Sequence, residues 1–181
     1  MKTKNLILIS MFAALTAVGG FIKIPMPFCP ITLQILFTTL AGVLLGGRNG
    51  AISVGIYVVL GLMGVPIFTG GGGISYILYP TFGFLIGFIV GTYVTGKICY
   101  SGKPTFKRLL LGSLAGCIPI FLIGTLYDIA ITFLYLKSDA AVFTVAFQCL
   151  LPLTWDVFLC VFTAFIGKRL IPVLHKEEMI S

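Results

Sequence analysis

Two carboxylates lie inside apolar stretches of this 181-residue sequence, Asp128 and Asp156. A charge in hydrocarbon costs about 2.5–3.5 kcal/mol even on the lenient insertion scale, so such groups turn toward a protein interior and usually have a task there. Two tasks are open to them: holding a polar ligand, or packing helices as protonated or paired acids. Chemistry on a ligand is a poor fit to the remaining inventory. The single histidine, His175, falls in a C-terminal tail beyond the last apolar run, and the sequence has no nucleophile motif and no His/Cys/Asp/Glu cluster. No catalytic residue and no metal site is therefore expected. Gly91-Thr-Tyr-Val-Thr-Gly96-Lys97-Ile98 nearly spells a phosphate-binding loop, but Ile98 stands where a magnesium-binding hydroxyl is required, and no soluble strand precedes it. The chain has no ATPase motif, so transport would draw its energy from another protein.

Other candidates surround these acids. Gln34 is a polar group just inside an apolar run, suited to a ligand or to a neighbouring helix. Trp155, the sole tryptophan, could stack on a ligand or anchor the chain at a membrane surface. Residues 64–84 contain Gly70-Gly-Gly-Gly73 without one charged side chain. Four consecutive glycines oppose a helix, each by about 1 kcal/mol relative to alanine, yet their neighbours are too apolar for a solvated linker. Irregular backbone at membrane depth is tolerated only where protein buries it or where it borders a cavity, so this segment is expected to be a binding loop.

The elements that must position these groups are membrane spans. The composition is 59% hydrophobic and 9% charged, with a mean hydropathy of +1.14, which excludes an ordinary soluble fold. The fold class expected is an all-α integral membrane protein, a single membrane domain over 1–181. Apolar runs give six spans at about 5–22, 32–47, 50–64, 81–99, 109–133 and 147–170. The net charge of +7 comes without the interleaved aromatics of a nucleic-acid surface, so no nucleic-acid partner is expected. With the N-terminus in the cytoplasm, Lys2, Lys4, Arg48, Lys97, Lys103, Lys107, Arg108, Lys168, Arg169 and Lys176 all fall inside, and only Lys23 and Lys137 fall outside. Both termini are then cytoplasmic, and the 64–84 loop faces out. Gly83, Gly87 and Gly91 share one helical face for close packing, and Ala13 and Ala17 form a small-x-x-x-small pair extended by Gly20. Pro119 and Pro152 are expected to kink the fifth and sixth spans. The five cysteines, Cys29, Cys99, Cys117, Cys149 and Cys160, have no metal-type spacing and read as small buried side chains.

An ordered series of segments carries a resemblance. Ile24-Pro-Met-Pro27 with Ile31-Thr-Leu-Gln34, then Leu40-Ala-Gly-Val-Leu-Leu-Gly-Gly-Arg48-Asn-Gly-Ala51, then Leu60-Gly-Leu-Met-Gly-Val-Pro-Ile-Phe68, Gly70-Gly-Gly-Gly73 and Tyr79-Pro-Thr-Phe-Gly-Phe84 resemble the BioY family. Its members are biotin-binding S components of energy-coupling factor (ECF) vitamin transporters. The likeness is dense over 5–96 and resumes at Leu150-Leu-Pro-Leu-Thr-Trp-Asp156. It implies a six-helix S-component fold in the cell membrane, with biotin as ligand and no covalently bound cofactor. The implied partners are a transmembrane coupling protein and two ABC-type ATPases, which alone use ATP while the S component topples to deliver its ligand. The family's Ala-x-x-x-Ala docking face maps onto Ala13 and Ala17. The family's sixth helix usually reads Gly-Asp-x-x-Lys, whereas Leu159 stands here at the lysine position. Lys23 is either a substitute cation or a solvated side chain.

These readings converge on a pocket between the 64–84 loop and the fourth to sixth helices. Phe68, Tyr79 and Trp155 are expected to enclose a ring system, Gly71, Gly72 and Gly73 to offer backbone N–H groups, and Asp156 and Gln34 to bond the ureido group. Asp128 adds a further negative charge. The alternatives are a related S component for another small vitamin or cofactor precursor, or a structural membrane subunit that binds no solute.

Overall fold

The computed structural model describes residues 3–25, 30–136 and 142–176. Lys2, Pro27, Cys29 and Lys137 lie outside the described residues. Five helices are long and apolar enough to cross a membrane: Thr3–Phe21, Gln34–Leu62, Phe82–Cys99, Phe106–Tyr135 and Val142–Leu174. In order, the elements are α1 (Thr3–Phe21), a short hairpin of β1 (Lys23–Ile24) and β2 (Ile31–Thr32), α2 (Gln34–Leu62), a 3₁₀ turn (Ile74–Leu78), α3 (Phe82–Cys99), α4 (Phe106–Ala130) ending in a π turn (Ile131–Tyr135), α5 (Val142–Leu150) and α6 (Pro152–Lys176).

α2 is not one rod. Gly46 has φ 78° and ψ 171°, which breaks the helix, and the amide nitrogen of Gln34 lies 2.7 Å from the Tyr57 hydroxyl. Those residues are 23 positions apart, about 35 Å along a straight helix, so the two arms, 34–45 and 47–62, run back along each other. The turn is possible because Gly46 takes a positive φ without a Cβ penalty and because it seats against Gly96 of α3, where any side chain would strike the backbone of Gly47. The carbonyl of Leu44, near the broken end of the first arm, is taken up by the Tyr100 hydroxyl at 2.7 Å.

Glycines also set the α3–α4 contact. A Cβ on Gly87 would lie 2.9 Å from the Cα and carbonyl oxygen of Ile120, and one on Gly91 would meet the carbonyl of Gly116. Gly83 faces Tyr127 in the same way. α2, α3, α4 and α6 close a ring, with α1 against α2 and α5 against α4. The core divides into two layers. One, rich in aromatics, holds Tyr57, Phe68, Tyr76, Phe82, Phe84, Phe88 and Phe121, and the other is aliphatic, with Leu8, Ile9, Leu40, Val43, Leu44 and Leu109.

The proline expectations divide. Pro119 lies inside α4, whereas Pro152 opens α6, where its missing N–H is not needed. The expected span 147–170 is thus broken into α5 and α6 rather than kinked, and α6 runs on to Lys176 through what reads as a tail.

Candidate functional site

The start of α2, the start of α3, the C-terminal half of α4 and the start of α6 converge at one end of the ring, roofed by the hairpin and by the segment between α2 and α3. They enclose a pocket. α3 contributes Thr81, Phe84, Leu85 and Phe88, a spacing of i, i+3, i+4 and i+7 that puts all four on one helical face. The glycine spine that packs on α4, Gly83, Gly87 and Gly91, is centred roughly 110° around the helix from this face, so close packing on that flank leaves the aromatic face turned toward the cavity. Gln34 and Ile35 come from α2, Phe121 from α4, and Pro152 and Asp156 from α6. The roof supplies Pro30, Thr32, Thr69 and Tyr76. The free space at the centre is about 40 Å³.

Asp156 is 4% exposed and has no hydrogen-bond or ion-pair partner among the described residues; its carboxyl group lines the cavity. Gln34, 3% exposed, donates to the Tyr57 hydroxyl, which in turn donates to the Ile67 carbonyl at 3.4 Å. Along the roof, Thr69 Oγ1 and the Tyr76 hydroxyl are 3.0 Å apart, and the Tyr76 hydroxyl is 3.1 Å from Thr81 Oγ1. The Lys23 ammonium donates to the Thr69 carbonyl at the same rim. The arrangement therefore offers an apolar slot, a rim of hydroxyls and one unpartnered acid, which suits a small ring system bearing N–H donors.

A larger hollow of about 430 Å³ lies between α4 and α6, across Phe121 from the first. Its walls are leucine, isoleucine, valine and Phe121, with the Cys117 thiol and the Thr125 hydroxyl as its few polar groups, and its outer edge, Ile118, Leu122 and Leu126, is exposed. It lacks the polar groups that would orient a ligand, so the Asp156 pocket is the candidate site.

A model of the BioY family matches residues 1–176. The chain belongs to the BioY family. It is 44% identical over 184 residues, covering 99% of this chain and 93% of its relative, to a probable biotin transporter BioY of Lysinibacillus sphaericus. A biotin transporter BioY of Thermotoga maritima is 34% identical, with 92% of this chain and 95% of the relative covered. Among solved structures, the S component for biotin from an ECF-type ABC transporter superposes with a TM-score of 0.79 at 29% identity, covering 93% of this chain and 91% of the other. The chain is a multi-pass membrane protein with the S-component fold.

Within this BioY fold, several residues singled out from sequence stand elsewhere. Asp128 is fully buried but outside the pocket wall: Thr132 Oγ1 donates to it at 3.0 Å and Cys149 Sγ at 3.2 Å, which makes it a packing acid between α4 and α5. Trp155 is 41% exposed and packs on Phe158; successive helical residues point about 100° apart, so it cannot face the cavity beside Asp156. Phe68 supports the pocket from behind, edge-on to Tyr57 at 5.5 Å and tilted against Tyr76 at 4.6 Å. Tyr79 is half exposed and stacked on Tyr76, which takes the wall position expected of Tyr79. The Gly71 N–H bonds the Phe68 carbonyl and the Gly73 N–H the Gly61 carbonyl, so these glycines shape the roof and do not offer free donors. Gly72 lets the Val65 backbone approach where a side chain would collide. Ala13 and Ala17 are buried within the chain, and the face of α1 left uncovered carries Ser10 and Ala14 instead. Leu159 is buried and does not line the pocket. Sequence reading missed Thr69, Tyr76, Thr81, Phe84, Phe88 and Phe121; the i, i+3, i+4, i+7 register of 81, 84, 85 and 88 is a signal for Thr81, Phe84 and Phe88, and no comparable pattern marks Thr69, Tyr76 or Phe121.

Proposed function

We propose that this chain is the substrate-capture subunit of an ECF-type importer and that it binds biotin in the Asp156 pocket. The observation that carries the reading is the unpartnered acid aimed into an aromatic slot within a BioY-family fold. The bicyclic ureido head of biotin presents two diverging N–H donors, one of which the Asp156 carboxyl accepts, while Gln34 serves the ureido oxygen or the second N–H. Phe84, Leu85, Phe88 and Phe121 enclose the sulfur-containing ring. No residue performs chemistry on the ligand; the chain is a transport subunit, not an enzyme.

The back-folded α2 supports six crossings, and an even number puts both termini on one side. Nine of the described lysines and arginines, Lys4, Arg48, Lys97, Lys103, Lys107, Arg108, Lys168, Arg169 and Lys176, are carried by helix ends and turns remote from the pocket. The positive-inside rule makes that end cytoplasmic and the pocket external. A space of about 40 Å³ is far below the roughly 300 Å³ or more of small-molecule sites, so the glycine-rich roof must lift to admit biotin. A transmembrane coupling protein with two ATPases then supplies the energy, and the uncovered face of α1, with Ser10 and Ala14, is the surface offered to it.

The test is thermal stability in detergent. Biotin should raise the melting temperature of the native chain and leave that of Asp156→Ala unchanged. Another vitamin raising it where biotin does not would transfer the site to a different ligand, the reading motivated by Leu159.

A further inference from the structure

Lys23 is set apart from every other described cation. The nine others sit at the opposite end of the bundle, whereas Lys23 opens the hairpin at the pocket's mouth. Two contacts hold it there. Its backbone pairs with Thr32 across β1 and β2, and its ammonium donates to the carbonyl of Thr69; both threonines line the pocket. We propose that Lys23 recognises the carboxylate of the bound ligand and uses it to fasten the glycine-rich roof. This rests on the biotin reading.

An ammonium has three N–H donors, and only one is committed to Thr69. No carboxylate pairs with Lys23 among the described residues. The two described acids are otherwise placed: Asp128 is bonded to Thr132 and Cys149, and Asp156 is inside the cavity on α6. The pocket is therefore polar in a directed way, with an acceptor in the second turn of α6 and a cation at the mouth. A ligand with N–H donors at one end and a carboxylate at the other has a single favourable orientation, acid outward. In that orientation the carboxylate meets the two free N–H groups while the third holds Thr69. Thr69 is joined through Tyr76 to Thr81 of α3, so the ion pair would draw the roof onto the helix that forms the slot. Leu159, where the family usually has lysine, is buried off the pocket wall, and Lys23 supplies a counter-charge at the mouth instead.

The experiment is calorimetric titration of the native chain, Lys23→Gln and Lys23→Arg with biotin and with its neutral primary amide. Loss of a charge-assisted hydrogen bond should weaken biotin binding to Lys23→Gln by roughly tenfold to a hundredfold and leave amide binding within about twofold. Lys23→Arg should keep most of the preference for the acid. Equal weakening toward acid and amide would reduce Lys23 to a roof contact, and an unchanged biotin affinity in Lys23→Gln would remove it from the site; either overturns the assignment while leaving biotin capture intact. A native chain that binds neither compound would overturn the biotin reading, and this assignment with it.

Discussion

Asp128 and Asp156 look alike as letters in apolar stretches, and the structure gives them different neighbours. Asp128 is met by a hydroxyl and a thiol; Asp156 lines the cavity and has no hydrogen-bond partner among the described residues. Asp128→Asn should therefore leave biotin affinity within about threefold while lowering stability by about 1–3 kcal/mol, as a buried hydrogen-bonded group is disturbed, measured by affinity and by thermal melting of the same preparation. Asp156→Asn should do the reverse, weakening biotin by at least roughly tenfold with little change in melting. Trp155→Phe should leave affinity unchanged. At this scale the sequence was legible where cost speaks: the expense of an acid in hydrocarbon marks both aspartates. It was not legible where rotation decides. One of the two partners of Asp128 is Cys149, 21 residues away on another helix, and pairing Trp155 with Asp156 overlooks the angle between consecutive helical side chains. Gln34 was legible as a polar group at a span's entrance, and Asp156 joins it in one wall.

Elements here are joined by what glycine omits. Gly87 and Gly91 let α3 touch the α4 backbone, and the ring of Phe68 occupies the place of a side chain on Gly61, which seats the roof on the second arm of α2. Gly87→Val should cost about 1–3 kcal/mol through overpacking, seen as a lower melting temperature. The α4–α6 contact has its own measure: Cys117 Sγ and Cys160 Sγ are 3.4 Å apart. A copper–phenanthroline oxidant should take two electrons and two protons from this pair and join the helices by a disulfide, giving a mass lower by two hydrogens. Thiols that stay free under those conditions would place the helices further apart. The glycine spacing on α3 was readable because it repeats with the helix. The breaks were less so. Hydropathy sees the apolar run at 147–170 as one span, although Pro152 begins a new helix, and it cannot show that Tyr76, on a 3₁₀ turn of Ile74–Leu78, takes the inner position while Tyr79 stays outside.

For the whole molecule, the separation of nine of the ten described lysines and arginines from the pocket is the organising feature. The cationic turns and the aliphatic layer occupy one end, and the aromatic layer with the Asp156 pocket occupies the other. In a cysteine-free background, Tyr79→Cys should react with an impermeant maleimide added to intact cells, and Ser101→Cys only after permeabilisation; the opposite pattern would invert the topology. Lysine and arginine placement made this asymmetry readable before any packing was known, because it depends only on where the charges fall along the apolar runs. The pocket's composition was not readable in the same way, since its walls come from α2, α3, α4, α6 and the roof, and only the folded ring brings them together. The central claim is that this cavity captures biotin through Asp156, and calorimetric titration of the purified native chain beside Asp156→Ala tests it most directly. The account predicts saturable one-to-one binding to the native chain and its loss in the variant; native-like affinity in Asp156→Ala would contradict it.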